Sequence, residues 1–127
     1  MPGIAFGRDA GKQKIADALI ATYVIPYEPQ RVGAEVIPRA AQPESGGVLL
    51  NRFKNLRWEF RRPDGYVCQR GLGPLLSGDK LVDDPGFKAE LFRRHPAAIG
   101  GEMEGHGVYA AASRKKVEAL VVKSICD

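Results

Sequence analysis

Cysteine, histidine and tryptophan are scarce in this chain, and long apolar runs are absent. Its 127 residues include two cysteines, two histidines and one tryptophan. Cys68 and Cys126 are too few for a disulfide framework, so reduced thiols and a cytoplasmic location are expected. His95 and His106 stand at no metal-ligand spacing with either cysteine, and no metal is expected. No window reaches the roughly eighteen apolar residues of a transmembrane helix, so no membrane association is expected. Met1–Gly7 has neither the charged start nor the apolar run of a signal peptide. Gly11-Lys12 is followed by Gln13, so the phosphate-loop ending Gly-Lys-Ser/Thr is missing. Gly3-Ile4-Ala5-Phe6-Gly7 does not fit the dinucleotide fingerprint. No internal repeat divides the chain, which reads as one domain over 1–127.

Charge is present in both signs. Nineteen Lys and Arg against fifteen Asp and Glu leave a formal net charge of +4. The basic residues form separate clusters at Arg61-Arg62, Arg93-Arg94 and Arg114-Lys115-Lys116, with no zinc-finger or RNA-recognition signature beside them. Solvated helix ends and loops account for such clusters, which argues against nucleic acid as a partner. The balance also suits attraction of an anionic ligand such as phosphate. A small nucleic-acid-binding domain is the rival reading, and absent salt-dependent binding would dispose of it.

The apolar pattern predicts alternating elements. Residues 1–7 read as a strand entering a Gly-rich turn. Lys14 to Ile25 reads as a strand ended by Pro26, although its Ala-rich first half also suits a short helix. Tyr27 to Gly47 is rich in Pro, Gly and charge. It is expected to be a long loop or insert, with a short strand at Ala34–Ile37. Leu49, Phe53 and Leu56 share a helical face, which predicts a helix over Val48–Phe60. Tyr66 to Leu76 is a strand interrupted by glycines. Asp84-Pro85 supplies an N-cap and a first-turn proline for a helix ending near Arg94. Glu102–Lys115 is the third predicted helix, and Val117–Asp127 the last strand. This alternation implies an α/β fold with part of the sheet parallel. The last strand has no element after it to cover it, so the chain is expected to be structurally incomplete.

Three segments carry chemistry. Glu102-Met103-Glu104 sets two carboxylates around a Met, with Gly100, Gly101, Gly105 and Gly107 beside them. Acidic residues in a helical first turn with Met in the core would explain it. So would a carboxylate accepting two hydrogen bonds from the hydroxyls of a sugar. The glycines ask for close approach of a ligand or of neighbouring backbone. Asp127 follows a strand, where ligands bind in open α/β sheets. It reads as a turn residue, or as a general acid with a pKa raised by desolvation. Ser77-Gly78-Asp79-Lys80 forms a turn after a strand. His106 near Glu104 reads as a helix-surface histidine or half of an acid–base pair. Cys126 has no evident base partner for a nucleophilic role.

In this order, SGDKLVD, GEMEG and SICD resemble the C-terminal half of the nucleoside phosphorylase and nucleosidase superfamily. GIAFG is similar to its Gly-rich base-contacting turn. KIADALIAT is similar to a strand written Gly-Asp-Val-Leu-Val, with Asp17 in the acidic position. The resemblance implies a partial three-layer α/β/α fold with a mixed sheet, lacking the N-terminal strands and C-terminal helix. It implies cleavage of the N-glycosidic bond of a purine nucleoside by water or phosphate, with phosphate a co-substrate in the latter case and no cofactor. Asp127 would protonate purine N7. Met103 and Glu104 would hold the ribose. Phe6, Leu81, Val82 and Cys126 would line the base site. Leu81 departs from the aromatic residue that often stacks on the purine, Phe6 from a common Gly, and Cys126 from a common Ser. The resemblance further implies a homo-oligomeric parent, and a chain that turns over little alone because the N-terminal half carries the water-activating carboxylate. The alternative is a non-catalytic nucleoside-binding or sensor domain of a larger bacterial-type signalling protein.

Overall fold

A computed structural model describes residues 1–28, 42–79 and 82–126 in full, and the backbone of Gln30–Val32 and Val36–Pro38. Among the described residues, seven strands and three helices run β1 (Pro2–Gly7), β2 (Ala18–Pro26), β3 (Gln30–Val32), β4 (Val36–Pro38), α1 (Gly47–Asn55), β5 (Arg70–Ser77), α2 (Pro85–Arg94), β6 (Gly100–Glu102), α3 (Gly105–Arg114) and β7 (Val122–Ile125). Five of them form one mixed sheet in the order β1-β6-β5-β2-β7, and β7 returns to pair with β1 so that the sheet closes. β2 and β5 pair in parallel over their lengths, with a register shift between Ala21 and Val24. β1 and β7 pair in parallel from Pro2↔Val122 to Ala5↔Ile125. β3 and β4 form a separate antiparallel pair.

Both sides of the sheet are covered, as parallel strands require. Neighbours in β5 make the point. Leu75 joins a cluster with Leu19, Val24, Val121, Ile125 and Tyr109 of α3. Leu76 joins Phe6, Ile25, Tyr27 and Val82 with Leu91 and Phe92 of α2. Side chains alternate along a strand, so adjacent leucines feed opposite layers.

α2 forms where local code demands it. Asp84 Oδ1 accepts the Phe87 N–H at 2.5 Å, and Pro85 opens the helix. The other two helices are shorter than the pattern predicts. α1 stops at Asn55, and Leu56 is already extended. From Leu56 to Arg61 apolar and charged residues alternate, a period of two that favours extended chain over helix. No residue of α1 is buried, so packing does not prolong it. α3 begins at Gly105, because Gly100–Glu102 is taken into the sheet between β1 and β5.

β2 begins at Ala18, after a tight turn with Ala16 at a φ of 76°. Asp17 anchors it. Its buried carboxylate accepts the Lys14 and Gln69 backbone N–H groups at 2.9 and 2.7 Å and the Tyr66 hydroxyl at 2.9 Å. Of the 27–47 segment, Val24 N–H donates to the Pro43 carbonyl and Ser45 N–H to that of Thr22, so 43–45 runs beside the irregular stretch of β2. Strand β4 overlaps the strand expected at Ala34–Ile37, although Ala34 and Glu35 lie outside the described residues.

Two outcomes follow. Asp84→Ala removes the α2 cap and should cost about 0.5–2 kcal/mol in a chemical denaturation. Gly101→Ala drives a methyl into the Phe6 ring and should cost about 1–3 kcal/mol. Adding Phe6→Leu should recover part of that loss in a double-mutant cycle; strict additivity would show that the two residues are not in conflict.

Candidate active site

The Glu-Met-Glu segment leaves the sheet at β6 and turns into α3. Glu102 is not a first-turn helix residue. It pairs with Ser77 across β6 and β5, and its side chain is buried. One of its oxygens accepts the Glu104 N–H at 3.0 Å and both accept that of Gly105, at 2.9 and 2.8 Å. The carboxylate thus satisfies N–H groups at the start of α3, which have no partner within the helix. A Cβ at Gly105 would lie 2.6 Å from that carboxylate. Gly101 likewise leaves room for the Phe6 ring, whereas Gly107 faces open space. The close approach behind these glycines is therefore made by the chain itself.

Lys123 of β7 enters from the opposite side. Its ammonium lies 3.0 Å from Glu102 and 2.6 Å from Glu104, and its side chain is only 1% exposed. A side chain at Gly3 would come within 2.8 Å of the ammonium, so β1 passes closely over it. Motif reading missed Lys123. The signal was present as a charged residue inside the apolar strand run Leu120-Val121-Val122-Lys123. Two carboxylates and one ammonium leave this group with a formal charge of −1. Glu104 is the partner that reaches solvent, with 56% of its side chain exposed.

A small cavity adjoins the group. Ile4, Ala5, Phe6, Val82, Met103 and Cys126 line it, together with Gly101 and Glu102. The structure therefore brings together Phe6, Val82, Met103 and Cys126 from four separate parts of the sequence, with Glu104 beside Met103. Leu81 and Asp127 lie outside the described residues. The enclosed space is about 50 Å³, below the roughly 300–1,000 Å³ of a ligand pocket. A larger ligand therefore has to displace a wall. Ile4, Met103 and Cys126 are its exposed walls, whereas the Phe6 ring is wedged edge-on against Phe92 at 6.2 Å with the Lys88 ammonium 5.2 Å over its face.

The Ser77-Gly78-Asp79 turn backs this site. The Ser77 hydroxyl accepts the His106 N–H at 2.9 Å, Gly78 N–H donates to the Glu102 carbonyl, and Asp79 N–H donates to Glu28 at 2.7 Å. Burial, followed by the charges of Glu28, Asp79 and Glu102, pushes the Tyr27 phenol above its ordinary pKa. Tyr27 therefore stays neutral at physiological pH. His106 makes no contact with Glu104 that would form an acid–base pair, and its Nδ1 is buried without a partner among the described residues. Among those residues no group of three His, Cys, Asp or Glu side chains is placed to hold a metal, and no helix is long and apolar enough to cross a membrane.

No family model matches the chain. A death domain-containing ATP nucleosidase from Amphimedon queenslandica is 29% identical over 98% of this chain and 27% of its own length. ATP nucleosidase Cap17 from Escherichia coli (strain KTE188) is 36% identical over 42% of this chain and 10% of its own length. Among solved structures, the 5′-methylthioadenosine/S-adenosylhomocysteine nucleosidase of S. pneumoniae, with a transition-state inhibitor, superposes with a TM-score of 0.77 at 20% identity. It is matched over 99% of this chain and 54% of its own. The futalosine hydrolase of Helicobacter pylori gives 0.75 at 24% identity, over 99% and 55%. The chain thus spans about half the length of these enzymes and about a quarter of the sponge relative. Over that span it shares the α/β fold of these two solved structures, the fold class that the order of its motifs implied.

Proposed function

We propose that this chain is the purine- and ribose-binding half of a nucleosidase that hydrolyses the N-glycosidic bond of an adenine nucleoside or nucleotide. The observation that carries the reading is the meeting of Phe6, Val82, Met103 and Cys126 around one cavity, with Glu104 held beside it by a buried ammonium. The relatives named as ATP nucleosidases support adenine as the base and water as the nucleophile.

In this reading the base enters against Phe6 and Val82 and pushes Met103 outward. Glu104 accepts hydrogen bonds from the ribose hydroxyls. Lys123 is its positioning residue, fixing one carboxylate oxygen and leaving the other for the sugar. Asp127, next after the cavity-lining Cys126, gives its proton to purine N7. The C1′–N9 bond then breaks with its electron pair going to the base. The sugar becomes oxocarbenium-like, and the net negative charge of Glu102, Lys123 and Glu104 favours that developing cation. Water adds to C1′ and loses a proton, giving free base and the sugar with a C1′ hydroxyl.

Calorimetric titration of the chain with adenine and adenosine separates the two halves of the reading. Glu104→Gln should weaken adenosine about tenfold or more, the loss of a charge-assisted hydrogen bond, while leaving adenine unchanged. Equal loss for both ligands would remove Glu104 from the ribose. The wild-type chain should prefer adenosine over 7-deazaadenosine, which lacks the N7 acceptor, and Asp127→Ala should abolish the preference. If the unaltered chain binds both equally, Asp127 is not the N7 acid.

A further inference from the structure

A second cavity of about 430 Å³ lies at the carboxyl ends of the parallel pair β1 and β7. That end of a parallel pair is where α/β sheets place ligands. Gly7 and Ile125 form its floor, and the loop after β1 forms its wall. Three cations line it, Arg8, Lys14 and Lys88, and no carboxylate is among its described lining residues.

The loop is held by its own hydrogen bonds. Gln13 Oε1 accepts the Arg8 and Asp9 N–H groups, and its amide donates to the Ile99 carbonyl. The two loop carboxylates are occupied elsewhere. Asp9 accepts the Gly11 N–H and lies 3.8 Å from Lys12, and Asp17 accepts the Lys14 and Gln69 N–H groups and the Tyr66 hydroxyl. The three cations therefore have no carboxylate partner among the described residues. Arg8 donates to the Pro96 and Ala98 carbonyls and stacks on Phe92. Lys14 donates to the Ala10 carbonyl. Lys88 rests on Phe6. A cavity lined by three cations, with no carboxylate among its described lining residues, fits a polyanion.

We propose that this cavity binds a phosphate-bearing small molecule at a site separate from the purine cavity. Cys126 lines both spaces, and Phe6 carries Lys88 from one to the other. Met103 and Glu104, the sugar end of the purine site, line no part of it. The phosphates of a nucleotide bound through Glu104 would follow the sugar, so the anion here belongs to a second ligand. Its occupancy would act on the base site through Lys88 and the shared wall at Cys126.

The test is titration of the 127-residue chain with inorganic tripolyphosphate and separately with ATP, followed by amide NMR and calorimetry. Saturable shifts over Gly7–Ile15 and Ile125–Cys126 with tripolyphosphate show that phosphate alone suffices. The same shifts with ATP only show that a nucleotide supplies the phosphates. In either case Lys14→Glu with Lys88→Gln should weaken binding about tenfold or more. Lys14 is exposed and its ammonium donates to the Ala10 carbonyl, so Lys14→Glu alone keeps the test valid if the double variant does not fold. Absence of saturable shifts, shifts centred on Arg52–Arg62 instead, or unchanged affinity in Lys14→Glu would overturn the proposal, whatever becomes of the purine site.

Discussion

One buried ammonium ties the molecule together. Lys123 sits in β7 with almost no exposure, and a charge in that position is costly unless it is paired and hydrogen-bonded. Glu102 and Glu104 supply the pairing, so β7, β6 and the turn into α3 must meet at one point. β1 must pass over the same point without a side chain, and Gly3 satisfies that need. The closure of the sheet through β1 and β7 and the placement of Glu-Met-Glu are thus one constraint. Removing the lysine would leave a buried carboxylate uncompensated, a loss of about 3–5 kcal/mol for pairs of this kind.

Glu102 shows how a buried residue can define a site. Its carboxylate is used by the start of α3 and by Lys123. Glu104, two residues on, shares the same ammonium yet faces solvent. The division of labour between two neighbouring carboxylates comes from burial rather than from chemistry. The aromatic side of the cavity has a comparable logic. Phe6 is wedged between Phe92, Lys88 and the bare backbone of Gly101, while Met103 of the same lining is exposed. The same cationic backing extends to Arg8 and Lys14 and gives the neighbouring cavity its positive lining.

Helix α2 was readable to the residue, because an Asp cap, a first-turn Pro and a basic last turn act locally. Strands β1, β2, β5 and β7 were readable in kind from their β-branched and apolar runs bounded by Gly and Pro, whereas β3 and β6 were not. The end of α1 was not, because Leu56, Trp58 and Phe60 fit a helix face and an extended alternation alike. No residue of α1 is buried, so core packing does not favour the helix there. Glu102 was placed in a helix on its dipole preference. The sheet claims it because Gly100 and Gly101 can lie between β1 and β5, where a side chain would strike Leu19 or Phe6.

By itself the sequence determined the α/β alternation, the cap of α2 and the candidate residues, because motifs and caps are codes of short range. Tertiary structure alone decided that Phe6, Val82, Met103 and Cys126 share a wall, since their spacing along the chain carries no such information. It also decided which carboxylate is structural and which is available. Desolvation around Lys123 sets that division, and desolvation exists only once β1, β6 and β7 have come together.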